Sequence, residues 1–157
     1  MRSRLPLLCL ALAIVAAYAC RASSSGSVTF GAAGPWNENY GIMNRRGIEL
    51  AIEEFNARPD RRGPEVRVIF RDDQADAMRA AAVAREFVDS SDVVAVIGHL
   101  NSEPMAAAAR VYDGNLPAVS TTASSPDLSG ISPWAFRVIS SDSMNGLQIA
   151  RFAMRTA

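Results

Sequence analysis

Apolar positions along this chain alternate between short solid runs and longer helical stripes. Val28–Ala32, Val93–Ile97 and Pro117–Ser120 are short runs of the kind that form buried strands. In Val66–Arg71 the apolar Val66, Val68 and Phe70 alternate with Arg67, Ile69 and Arg71, predicting a strand with one partly polar face near a sheet edge. Between these runs the period changes to helical. Ile48, Ala51, Ile52 and Phe55 predict a helix from about Asn39 to Ala57, ended by Pro59 and Gly63. Ala80, Val83, Ala84, Phe87 and Val88 predict a second over about Ala75–Ser91, with Asp72 and Asp73 read as its caps. Met105, Ala108, Ala109 and Tyr112 predict a third, entered through Ser102 and stopped by Gly114.

Strand and helix in strict alternation with short links imply an α/β fold, a doubly wound parallel sheet with helices on both faces, because parallel neighbours need a crossover. Right-handed crossovers give strand order 2-1-3-4. Ligands in such sheets lie beyond the C-terminal strand ends, where the first and third strands diverge. The loops Ala33–Tyr40, Gly98–Ser102 and Thr121–Ser125 are expected to meet there. Past Asp127 come a turn-rich stretch at Gly130–Trp134, a strand at Ala135–Ile139, and a helix at Asp142–Thr156 with Leu147, Ala150 and Met154 aligned. A doubly wound domain expects another strand after such a helix, so the chain reads as truncated.

The loop chemistry suggests a ligand type. A helix starting at Ser102 with Pro104 in its first turn leaves backbone N–H groups to attract an anion; the bland alternative is that Ser102 merely caps its helix, and a cap and a ligand contact are compatible. The hydroxyls and carbonyls of Thr121–Pro126 suit an ammonium, so the two loops together can hold a small zwitterion. His99, the sole histidine, has no G-x-S-x-G elbow and no evident orienting acid beside it, and reads as structural rather than as a base for Ser102. No glycine-rich phosphate loop or metal-ligand spacing occurs, so neither an enzyme nor a cofactor is expected.

Composition and charge narrow the setting. With 157 residues, 49% apolar and 20% charged, the chain is globular, and its formal net charge is zero. Every basic residue is Arg and none cluster, which argues against nucleic acid. Arg2 and Arg4 before the apolar Leu5–Ala17 mark residues 1–19 as an export signal. Ala17-Tyr18-Ala19 places the cut before Cys20, which is either the lipid-accepting cysteine of a lipoprotein or simply the first mature residue. Residues 20–27 are then a polar tether. Cys9 leaves with the signal, so packing, not disulfides, must stabilise the fold.

The ordered series GAAGPWNENYG, GIELAIEEFNA, RDDQAD, VAVIGHLNS, PAVSTTASSPDLS and FRVISSD resembles the leucine/isoleucine/valine-binding protein family. These are periplasmic substrate-binding proteins of branched-chain amino acid ABC importers. The resemblance covers Val28–Ala157 and implies two lobes of type I periplasmic binding fold closing on a ligand between them. Residues 28–139 would be the first lobe, FRVISSD the first crossing, and residues 140–157 the start of a truncated second lobe. It further implies that Ser102 holds a carboxylate, that the Thr122 carbonyl receives an ammonium, that Ser124 contacts both ends, and that Tyr40 forms a wall. Leu100 and Ala123 complete the implied ligand-binding set. The acid that pairs with the ammonium in relatives would belong to the second lobe, and Ala33 stands where many relatives have Ser. Implied partners are the ligand, ABC permease subunits and, through a modified Cys20, the membrane; the implied location is the periplasm or cell envelope. A sensor ectodomain on the same fold and, more remotely, a hydrolase or reductase remain as alternatives, and the ligand's identity stays open.

Overall fold

The computed structural model describes residues 26–156. The expected export signal, Cys20 and most of the expected tether lie outside the described residues. Strand β1 (Ser27–Gly34) is followed by helix α1 (Asn39–Ala57), β2 (Glu65–Asp72), α2 (Ala77–Asp89), β3 (Val93–Ile97) and α3 (Ser102–Tyr112). Then come β4 (Ala118–Ser120), a 3-10 turn at Pro126–Leu128, β5 (Ala135–Arg137) and α4 (Asp142–Thr156).

The strands form one parallel sheet of order β2-β1-β3-β4-β5. The expected 2-1-3-4 order is present, with β2 at the edge its half-polar alternation predicted. The Ala135–Arg137 segment adds a fifth strand beside β4, pairing Ala118 with Ala135 and Ser120 with Arg137. It is shorter than the expected Ala135–Ile139 because β4 ends at Ser120; Val138 and Ile139 run on without a partner strand and are exposed.

The two faces are covered unequally. On one, α2 and α3 bury Ala80, Val83, Ala84, Phe87, Met105, Ala108, Ala109 and Tyr112 against Ala33, Val96 and Ala118. All four predicted residues of the α3 stripe are 2% exposed or less. The alanines allow the helix backbone to sit close to the sheet, where larger side chains would hold it off. On the other face, among the described residues, α1 alone packs Ile48 and Ile52 over Ala32, Trp36, Val68, Phe70 and Leu100. An apolar groove of about 510 Å³ lies beside α1, between Met43, Ile48, Ala51, Ile52 and Ile97.

Helix α2 begins two residues later than its pattern suggests. Gln74 and Ala75 have φ of 53° and 55°, in the left-handed region where a right-handed helix cannot continue. Asp72 and Asp73 hold them there, accepting from the Gln74 and Ala75 N–H groups at 2.9 Å each. These two acids therefore shape the turn rather than cap the helix; the cap is Asp76, whose carboxylate accepts from the Arg79 N–H at 2.8 Å.

Candidate functional site

The C-terminal ends of β1, β3 and β4 deliver the three expected loops to one edge of the sheet. Gly41, early in α1, lets that helix rest on the preceding turn, since a Cβ there would lie 1.9 Å from the Pro35 carbonyl oxygen. Trp36 anchors the same turn: its indole donates to the Arg71 carbonyl at 2.7 Å, and its ring meets Phe70 edge-on at 5.4 Å. Tyr40, 42% exposed, projects across the gap and donates from its hydroxyl to Asn101 Oδ1 at 3.1 Å.

The β3–α3 loop is held from both layers. At Gly98, with φ of 119°, an added Cβ would lie 2.1 Å from the Ala33 carbonyl oxygen, so only glycine fits. The next two side chains go opposite ways. His99 enters the α2–α3 layer, wholly buried, with Nδ1 2.6 Å from Asp73 Oδ2 and Nε2 3.2 Å from the Tyr112 hydroxyl. Leu100 enters the α1 layer against Gly34 and Trp36. Burial pushes the Tyr112 phenol far above the ordinary tyrosine range, and the nearby Asp73 carboxylate adds to the shift.

The β3 and β4 loops are laced together. Ser120 Oγ donates to the His99 carbonyl at 2.6 Å, and Thr122 Oγ1 donates to the Leu100 carbonyl at 2.7 Å. The Ser125 N–H donates to Ser102 Oγ at 3.1 Å. Thr121, beside them, donates to Asn44 of α1 at 2.8 Å. Ser124 faces the entry to α4: its hydroxyl donates to Asp142 Oδ2 at 3.0 Å, and its carbonyl accepts from the Asp142 N–H at 2.9 Å.

Helix α3 starts without a side-chain cap, because Asn101 is the N-cap residue and its amide bonds Tyr40 instead. The N–H groups of Ser102 and Glu103 thus have no partner among the described residues, and the Ser102 hydroxyl, used as an acceptor, keeps its own proton to donate. That makes an anion-attracting corner. The Thr122 carbonyl, beside it, accepts nothing among the described residues.

Of the predicted site residues, Ser102, Thr122, Ser124 and Tyr40 belong to this one loop cluster. Leu100 and Ala123 are 2% and 1% exposed, so only their backbone is available to a ligand. The sequence reading missed Asp73, Ser120 and Asn101 as partners in the cluster. It found no acid orienting His99, yet Asp73 does so from 26 residues away. Both imidazole nitrogens are engaged inside the core, which leaves no lone pair for activating Ser102.

A parallel sheet of this order, with its polar loops gathered beyond the strand ends, is the architecture of type I periplasmic binding proteins. Residues 28–157 match the periplasmic binding protein family, and the chain belongs to it. It is 30% identical over 144 residues to an amino acid binding protein of Pseudomonas aeruginosa, covering 88% of this chain and 38% of that one. A leucine-, isoleucine-, valine-, threonine- and alanine-binding protein from the same organism is 30% identical over 143 residues, with the same coverage. Among solved structures, an ABC transporter substrate-binding protein of Desulfitobacterium hafniense in complex with Leu superposes with a TM-score of 0.77 at 30% identity. That match covers 84% of this chain and 40% of the other. The chain thus spans about two fifths of the length of these relatives.

Proposed function

We propose that the chain forms the first lobe of an extracytoplasmic solute-binding protein of an ABC importer, and that the lobe takes an amino acid or similar small polar ligand at its C-terminal strand ends. The observation that carries this reading is the uncapped start of α3, where two unpartnered N–H groups and the Ser102 hydroxyl belong to a loop laced to the β4 loop that carries the open Thr122 carbonyl. Donors and acceptor on two laced loops suit a carboxylate and an ammonium on one carbon. Ser124 and Tyr40 border the same space, and the amino acids named for the relatives have this chemistry. Residues 140–157 begin the second lobe, which closes over the ligand and meets the permease. Cleavage before Cys20 places the protein outside the cytoplasm, and acylation of Cys20 tethers it to the membrane. No catalytic step is assigned, since the only histidine is sealed in the core.

Calorimetry of the full-length protein with L-leucine and a panel of other amino acids tests the reading. A hydrogen bond to a charged group contributes roughly 1.5–3 kcal/mol. Ser102→Ala should therefore weaken binding about ten- to a hundredfold, with the fold intact. Equal affinity in parent and variant would move the site elsewhere.

A further inference from the structure

We propose that Asp73, Tyr112 and Ser120 are positioning residues for the ligand loops, acting through His99, so that a buried polar hub sets where Ser102 and the Ala123–Ser125 backbone stand. The inference rests on the reading above that these loops face the ligand, but the hub's effect on the loops is measurable without any ligand.

Four separate segments supply the hub: the loop after β2, the loop after β3, the last turn of α3 and the last residue of β4. All four side chains are wholly buried. Each bond reaches a different part of the cluster. The imidazole Nδ1–H donates to Asp73, whose other oxygen holds the Ala75 N–H. Its Nε2 bonds the Tyr112 hydroxyl, which can donate or accept. The His99 carbonyl takes the Ser120 hydroxyl, and that same hydroxyl accepts from the Ala123 N–H at 3.1 Å. One side chain thus ties the backbone three residues before Ser102 to the backbone one residue before Ser124.

Close packing alone would not give this placement. An apolar side chain in place of His99 could fill the volume, but it would leave the Asp73 carboxylate buried without its partner and would remove the loop's side-chain bonds to Asp73 and Tyr112. No buried polar side-chain atom among the described residues lacks a partner, so removing any member exposes another to the cost of an unmade bond. The cheapest relief is for the loop to shift toward water. A shift of a few tenths of an ångström to one ångström is enough to spoil hydrogen bonds whose useful range is 2.7–3.2 Å.

The test compares Tyr112→Phe and Ser120→Ala with the parent full-length protein, each removing one hydroxyl while keeping the surrounding volume nearly constant. Without ligand, hydrogen exchange of the Ala123 and Ser125 amides, both hydrogen-bonded in the parent, should rise at least tenfold in both variants, while β1 and the middle of α2 keep their parent rates. With L-leucine as the probe, affinity should fall about three- to tenfold. Ser102→Ala serves as the control for the site. If it leaves leucine affinity unchanged while the hub variants still loosen the loops, the binding-site reading fails and the positioning inference stands. If Ser102→Ala weakens binding but the hub variants leave loop exchange and affinity at parent values, the inference is overturned. Exchange that rises equally throughout the molecule would also overturn it, because the hub would then be a stability element and nothing more.

Discussion

Helices α3 and α4 carry the same kind of apolar stripe and meet opposite fates. In α3 the stripe of Met105, Ala108, Ala109 and Tyr112 is sealed between the sheet and α2. In α4 the aligned Leu147 is 45% exposed and Met154 is 83% exposed. Periodicity announces that a helix has an apolar face, but burial needs a surface to receive it. Helix α3 has one because it is a crossover between two paired strands, β3 and β4. Helix α4 follows the sheet's last strand, and its first residue, Asp142, bonds Ser124. A packed α3 presents the Ser102 and Glu103 N–H groups in a fixed place, whereas the apolar stripe of α4 stays largely exposed.

The contrast predicts a large asymmetry in stability. Tyr112→Ala should destabilise the protein by about 3–5 kcal/mol, as for other large buried aromatics. Leu147→Ala should change it by no more than about 0.5 kcal/mol, as for an exposed site. Denaturant midpoints of the 157-residue chain measure both, and a comparable cost at Leu147 would mean that α4 is packed after all. Hydrogen exchange sharpens the same comparison residue by residue. Amides of α3 and β3 should exchange at least roughly a hundredfold more slowly than those of α4, which opens locally without unfolding the sheet.

Alkaline titration isolates one member of the α3 stripe. The Tyr112 phenol is held far above the ordinary tyrosine range in the folded protein, by burial first and by Asp73 second. Below the unfolded value near 10 both states keep the proton, and this stabilisation is complete. As pH rises past that value the unfolded chain loses its proton first. Stability should then fall by up to about 1.4 kcal/mol per pH unit. Tyr112→Phe should remove this slope, and an unchanged slope would assign it elsewhere. The smallest effect concerns the caps. Asp76→Ala should cost about 1 kcal/mol of global stability by uncapping the packed α2. Ser141→Ala, which removes the acceptor of the Met144 N–H at the start of α4, should lower helicity there without moving the global midpoint.

Much of this architecture was legible in the chain. The apolar runs and helical stripes located every strand and helix of the sheet, and the third strand and the last helix match their expected bounds, Val93–Ile97 and Asp142–Thr156. Burial patterns with periods of two and 3.6 residues are local properties, so sequence can carry them. The small hydroxyl residues at the strand ends were visible for the same reason: loop chemistry is written in consecutive residues. Ser102, Thr122 and Ser124 were therefore candidates from the loops themselves, while Tyr40 became one only through the family resemblance.

Relations between distant residues required the tertiary structure. Asp73 read as a cap, because acids before a helix usually are, and nothing near it signals an imidazole 26 residues later. Ser120 read as the end of a strand, yet it joins two loops. Leu100 and Ala123 lie in loops but point into cores, since the turn at Gly98 and the lacing of the β4 loop, not local polarity, decide which way those side chains face. The stripe of α4 is indistinguishable in sequence from that of α3. The sequence determined which faces are apolar and which loops are polar; folding determined which of those faces found a partner, because contact depends on the path of the whole chain.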